Sequence, residues 1–134
     1  MPIDSGDGPY AAARTTKLRI GVSVTLAALY HPLRLAEEIA LLDILSSGRV
    51  DWGAGRGFDA KEFKTFGLAL DQTHARFQEA VDIVLQAWRN QRLNYRGAMV
   101  PRAQLSATRG GLRPRDGRIM KGESTAKDIQ GHKR

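Results

Sequence analysis

The run Gly53-Ala-Gly-Arg-Gly57 holds the residue types best suited to chemistry in this sequence. Three glycines at alternate positions permit φ > 0 and close backbone approach to a ligand. Successive N–H groups in such a run can form an anion-binding nest. Arg56 adds a bidentate donor suited to phosphate or carboxylate. The functional reading is a phosphate subsite. The plainer one is a tight strand-to-loop turn with Arg56 facing water. The run is not the dinucleotide fingerprint, because its third Gly comes one residue early, and it lacks the Gly-Lys-Ser/Thr of a Walker loop.

The other candidate groups are less specific. His31 lies in a loop on the same edge and could act as an acid/base group or a substrate contact, but a His before a helix more often caps or packs. His74 reads as a helix-surface residue. The three histidines have no ligand spacing and no Cys beside them, so no metal site is expected. Glu37, Glu38 and Glu62 suit helix dipoles and solvated faces better than paired catalysis. Asp43, on a mostly apolar helix, is expected to make a structural bond or an ion pair with Arg49. There is no Ser-His-Asp arrangement and no G-x-S-x-G elbow, and no catalytic residue is assigned.

The elements that would position these groups follow from periodicity. Leu18–Val24 alternates apolar with small or polar residues and reads as a strand, with Gly21 marking a close approach. His31-Pro32 opens a helix over 32–46, with Pro at the first position and Gly48 as the left-handed terminator. Residues 49–54 form a second strand directly after it. Strand, helix and strand make a parallel βαβ unit, which brings Ser23-Val24-Thr25 and Gly53–Gly57 to one edge, where parallel α/β folds bind ligands. Residues 58–67 read as a short helix closed by Gly67. A longer helix spans 72–90, with Asp71 as N-cap and Phe77, Val81, Val84, Leu85 and Trp88 on one face. Residues 1–10 read as loop, and 11–16 as the last turns of a helix.

Composition bounds the rest. A chain of 134 residues with no Cys allows one small domain and excludes disulfide scaffolds, iron–sulfur sites and thiolate nucleophiles. No segment approaches the ~20 apolar residues of a membrane span, and the N-terminus lacks the order of a signal peptide, so a cytoplasmic protein is expected. The net charge of +7 is unevenly placed: residues 1–100 carry 12 Lys and Arg against 11 Asp and Glu, and residues 101–134 carry 9 against 3. That basic, aromatic-free segment offers no stacking platform, so only weak, salt-sensitive contact with nucleic acid is expected. The chain thus divides into an N-terminal remnant (1–14), a body (15–97) and a basic tail (98–134) expected to be disordered.

The body resembles the bacterial luciferase-like, flavin-dependent monooxygenases. The matching blocks are Thr15–Val22, the ungapped run His31–Gly57 continuing to Phe58, Glu62–Gly67, and Arg76-Phe-Gln-Glu-Ala80. The resemblance implies a (β/α)8 barrel of which this chain carries the third and fourth strands and their helices. It implies FMN, or alternatively a deazaflavin, at the C-terminal strand ends, a small organic substrate and a flavin reductase as supplier. It places Arg56, within Gly55-Arg-Gly57, on the flavin phosphate. It places Ser23-Val24 at a bulge carrying a non-prolyl cis peptide against the flavin ring. A second phosphate-binding arginine of the family corresponds to His74 here, with Arg76 nearby. A complete barrel needs roughly 250 residues, so this chain is expected to be a fragment without turnover by itself. The sequence after Gly97 departs from the family's Pro-rich stretch and fifth strand, as out-of-frame translation would.

Overall fold

The computed structural model describes residues 7–90, 92–97, 103–106 and 118–122. Helix α1 (Asp7–Arg14) leads through an extended segment to strand β1 (Ile20–Leu26), a 3-10 turn at Ala27–Leu29 and helix α2 (Pro32–Leu45). Strand β2 (Val50–Gly55), helix α3 (Ala60–Thr65), a 3-10 turn at Leu70–Gln72 and helix α4 (Thr73–Arg89) follow. Three short strands complete the described chain: β3 (Arg92–Tyr95), β4 (Ala103–Ser106) and β5 (Arg118–Gly122). β1, β2 and β5 form a parallel sheet with β2 in the middle, and β3 and β4 form an antiparallel pair. The architecture is a partial, unclosed (β/α) barrel: parallel strands joined by helices, with β5 as the next parallel strand beside β2.

The βαβ reading holds, with shifted bounds. β1 begins at Ile20, whose N–H donates to Arg49 O at 2.8 Å, and not at Leu18, which is exposed. It runs past Val24 to Leu26. α2 has Pro32 at its first position and His31 as N-cap. It ends in a Schellman arrangement, in which Gly48 N–H donates to Asp43 O at 2.9 Å and Ser47 N–H to Ile44 O at 3.1 Å. Ser47 takes φ 58° and Gly48 φ 84°, so the left-handed stop is shared by two residues. The N-terminal helix starts at Asp7, earlier than the loop reading of 1–10 allows. Gly8-Pro9 sits in its first turn, where a missing N–H leaves no bond unmade. α4 starts at Thr73 with Gln72 as N-cap, while Asp71 lies in the preceding 3-10 turn. Thr73 Oγ1 donates to Leu70 O at 2.8 Å.

The core lies between the sheet and the helices α2 and α4. Leu35, Ile39, Val50, Trp52, Phe77, Val81, Ile83 and Val84 are buried there. Trp52 on β2 meets Trp88 on α4 edge to face, with ring centroids 5.2 Å apart and planes at 76°. Trp88 Nε1 donates to Ala36 O on α2 at 3.1 Å, so one aromatic pair links three elements. Asp43 is fully buried and accepts Val50 N–H at 3.2 Å, the structural bond expected of it. Arg49 binds the backbone and side chain of the segment that precedes β1. Its guanidinium donates to Ser46 O, Thr15 Oγ1, Leu18 O, Ala12 O and Thr15 O at 2.6–3.0 Å, tying the C-terminal end of α1 to the start of β2. A cation at a helix C-terminus also complements the dipole.

Within the span 98–134, β4 and β5 are strands, and the remainder lies outside the described residues. Strands of four or five residues offer too few positions for alternation to show in sequence. Residues 1–6 of the N-terminal remnant also lie outside the described residues.

Candidate functional site at the C-terminal strand ends

The parallel pairing of β1 with β2 brings their C-terminal ends together. The register runs Ile20↔Val50, Gly21↔Asp51 and Val22↔Trp52, then resumes at Thr25↔Ala54 and Leu26↔Gly55. Ser23 and Val24 on β1 therefore oppose Gly53 alone, which is a β-bulge. The Ser23–Val24 peptide bond is cis. The bulge shifts the alternation of the strand: Val24 is 42 % exposed, and Thr25 is buried. Thr25 Oγ1 accepts a hydrogen bond from Trp52 Nε1 at 3.3 Å.

The glycines of the 53–57 run differ in role. Gly53 and Gly55 belong to β2 and pair with β5, and Gly55 pairs with Leu26 as well, so this part of the run is ladder and not an anion-binding nest. Neither has positive φ. Gly55 is required by space, because a Cβ there would overlap Val24 Cγ2 and stand 3.2 Å from Val24 Cβ. Gly57 is the left-handed residue, with φ 82°, and a Cβ there would stand 3.0 Å from Phe63 Cζ. Arg56 sits between them, half-buried, at the point where the chain leaves the sheet. α3 closes over this turn through the buried Phe63, and Asp59 caps it by accepting Lys61 N–H at 2.8 Å. The structure thus brings Ser23, Val24, Gly55, Arg56 and Gly57 to one edge.

The remaining candidates are exposed or take structural roles. His31 is exposed and makes no side-chain cap bond. His74 is exposed on the first turn of α4. Glu37 and Glu38 face Arg34 at 3.7 and 3.2 Å on the outer side of α2, a solvated ion-pair face. Gly21 admits a Cβ at ordinary contact distance from Asp51, so no close approach requires glycine there. Asp51 instead holds Arg19 in a bidentate pair at 2.7 and 2.6 Å, and that hydrogen bond raises the Arg19 pKa above its ordinary value.

Two features had weak or no sequence signal. Trp52 reads only as an apolar strand residue, yet its indole N–H reaches across the bulge. Arg76, half-buried in the N-terminal part of α4, is the one residue among those described with a buried side-chain nitrogen, Nε, lacking a protein partner. A basic group held so close to a helix N-terminus, where its charge opposes the dipole, is a signal that sequence reading could have weighed. An anion fits these observations: Arg56 at the strand ends and Arg76, with its unpartnered Nε, are guanidinium donors suited to a phosphate. At the strand ends with Arg56, the bulge presents Val24, which lies over the buried Gly55, as an exposed apolar side chain. No helix among the described residues is long and apolar enough to cross a membrane.

Comparison with known proteins agrees with this geometry. The family described as luciferase-like monooxygenase matches residues 9–119, continuing past Gly97 into β5. The chain is 46% identical over 86 residues to the uncharacterized protein y4wF of Sinorhizobium fredii, covering 64% of this chain and 25% of that protein. Monooxygenase RslO1 of Streptomyces bottropensis superposes with a TM-score of 0.77 at 34% identity, covering 92% of this chain and 38% of RslO1. The oxygenating constituent of 3,6-diketocamphane monooxygenase of Pseudomonas putida, solved with FMN, shares the fold with a TM-score of 0.75 at 18% identity, over 85% of this chain and 35% of its own. The chain spans about a quarter of the length of the curated relatives it matches. With a family match over most of its length and the strand-end geometry that goes with it, this chain belongs to the luciferase-like monooxygenase family.

Proposed function

We propose that this chain supplies the phosphate-side portion of an FMN site in a flavin-dependent monooxygenase acting on a small organic substrate. The observation that carries the reading is the convergence of Arg56 with the Ser23-Val24 bulge at the C-terminal ends of two paired parallel strands. Arg56 donates to the phosphate, and Arg76 adds a second guanidinium from α4. The bulge offers the flavin ring the exposed Val24 as an apolar contact, and the missing side chain at 55 leaves the room that Val24 occupies. Bound reduced flavin supplies the electrons that activate O2, and the protein orients it and excludes water. A separate flavin reductase fits this use of reduced flavin. The chain covers 38% of RslO1; in this reading the oxygenation needs the whole barrel, and these residues contribute cofactor binding.

Titration of the chain with FMN, followed by flavin fluorescence, tests the reading. Saturable binding that Arg56→Ala weakens by about tenfold or more, the scale of a charge-assisted bond, supports it. Absence of binding, or equal binding by Arg56→Ala, refutes it. Saturable binding of a deazaflavin cofactor with no response to FMN replaces FMN by the deazaflavin alternative at the same edge.

A further inference from the structure

We propose that Trp52, acting through Thr25, is the positioning residue that fixes the cofactor-facing bulge of β1. The inference rests on the FMN reading above and adds to it the residue that shapes the ring-side surface. A bulge takes its residues out of the ladder, so the ladder does not decide where the displaced side chains point. Trp52 spans this gap from the opposing strand. Its backbone pairs with Val22, the last residue in register before the bulge. Its indole Nε1–H donates to Oγ1 of Thr25, the first residue in register after it. Both ends of the bulge are thus held by one residue, and Ser23 and Val24 are framed between them. Val24 is placed against Gly55 as a result.

Trp52 can serve as a fixed reference because it is itself immobilised. It is 1 % exposed and packed edge to face on Trp88, and Trp88 is bonded to the backbone of α2 through Ala36 O. The hydrogen bond also answers a local need, since a buried indole N–H without an acceptor is costly. A purely structural reading would stop there, with Thr25 as an acceptor and nothing more. The positioning role makes an additional claim: loss of the bond moves Val24 and the surface it presents.

The test uses the full chain and three variants. Thr25→Val keeps the β-branched shape and removes the acceptor, Thr25→Ser keeps the acceptor, and Trp52→Phe keeps an aromatic ring and removes the donor. Backbone amide shifts of Ser23, Val24 and Gly55 report the bulge without any ligand, and FMN titration reports its consequence. Thr25→Val and Trp52→Phe are expected to shift those three amides and to weaken FMN binding about three- to tenfold, the scale of one hydrogen bond. Thr25→Ser is expected to restore wild-type shifts and to bind within about twofold of wild type on the same scale. Unmoved amides in Thr25→Val overturn the proposal, as does a Thr25→Ser variant no better than Thr25→Val. If wild type binds no flavin, the FMN reading fails, and the amide shifts still decide whether Trp52 fixes the bulge.

Discussion

Substituting Gly55 by Ala adds one carbon at the point where the two strand ends meet, and the structure says what that carbon strikes. It would overlap Val24 Cγ2 and stand 3.2 Å from Val24 Cβ, while the backbone at 55 has no left-handed φ to forbid it. The penalty is therefore steric and has one source. Overpacking of this kind costs about 1–3 kcal/mol. Val24 is 42 % exposed, so Val24→Ala alone removes little buried surface and costs about 0.5–1 kcal/mol. Val24→Ala also deletes Cγ2, the atom in the way. In the double variant Gly55→Ala/Val24→Ala the two effects should not add. The pair is expected to be about 1–2 kcal/mol more stable than the sum of the single losses, well beyond the ~0.3–0.5 kcal/mol scatter of independent sites. Urea unfolding followed by the fluorescence of the buried Trp52 and Trp88 measures all four corners of the cycle. Additivity within that scatter would refute the contact and, with it, the placement of Val24 against Gly55.

Three further outcomes follow from the same structure. Arg49→Ala is expected to lose about 1.5–3 kcal/mol in chemical denaturation, because a charged donor to several carbonyls is removed; Arg49→Lys should recover less than half, since one ammonium cannot reach the spread of acceptors that the planar fork does, and full recovery would contradict the α1 anchor. Gly21→Ala should be neutral or stabilising by up to about 1 kcal/mol, because the new Cβ finds ordinary contacts and the unfolded chain loses freedom; a clear loss of stability would show the strand to be closer packed than described. Burial, with Glu79 and Asp82 nearby, raises the Tyr95 pKa above 10.0, so the folded state keeps this proton when the unfolded chain has lost it. That contribution is fully present below about pH 10 and is lost as pH rises through the folded pKa; Tyr95→Phe should flatten this part of the stability curve, and an unchanged alkaline slope would contradict the assignment.

The parallel βαβ unit was readable in sequence because a Pro-initiated, 14-residue helix between two apolar segments admits few arrangements. The edge that gathers Ser23, Val24 and Gly53–Gly57 follows from that topology alone. The bounds and phase of β1 were not readable. Alternation through Leu18, Ile20, Val22 and Val24 looks unbroken. The bulge that exposes Val24 and buries Thr25 depends on the opposing strand and on an indole N–H 27 residues further along the chain. Arg49 shows the same limit. Its guanidinium reaches α1 and the segment after it, a tertiary arrangement that no local spacing encodes. Gly55 and Gly57 look equivalent in sequence, but one is kept by a side chain across the sheet and the other by its φ of 82°. β4 and β5 carry too little pattern to be seen before their partners are known.

The central claim is that the strand-end edge around Arg56 holds the phosphate of a flavin. Calorimetric titration of the chain with FMN and with riboflavin, which differ in that phosphate alone, tests it most directly. FMN should bind about tenfold or more tightly than riboflavin, with the difference shrinking as salt is raised. Equal affinities for the two would contradict the account, because they would leave Arg56 and its edge with no anion to hold.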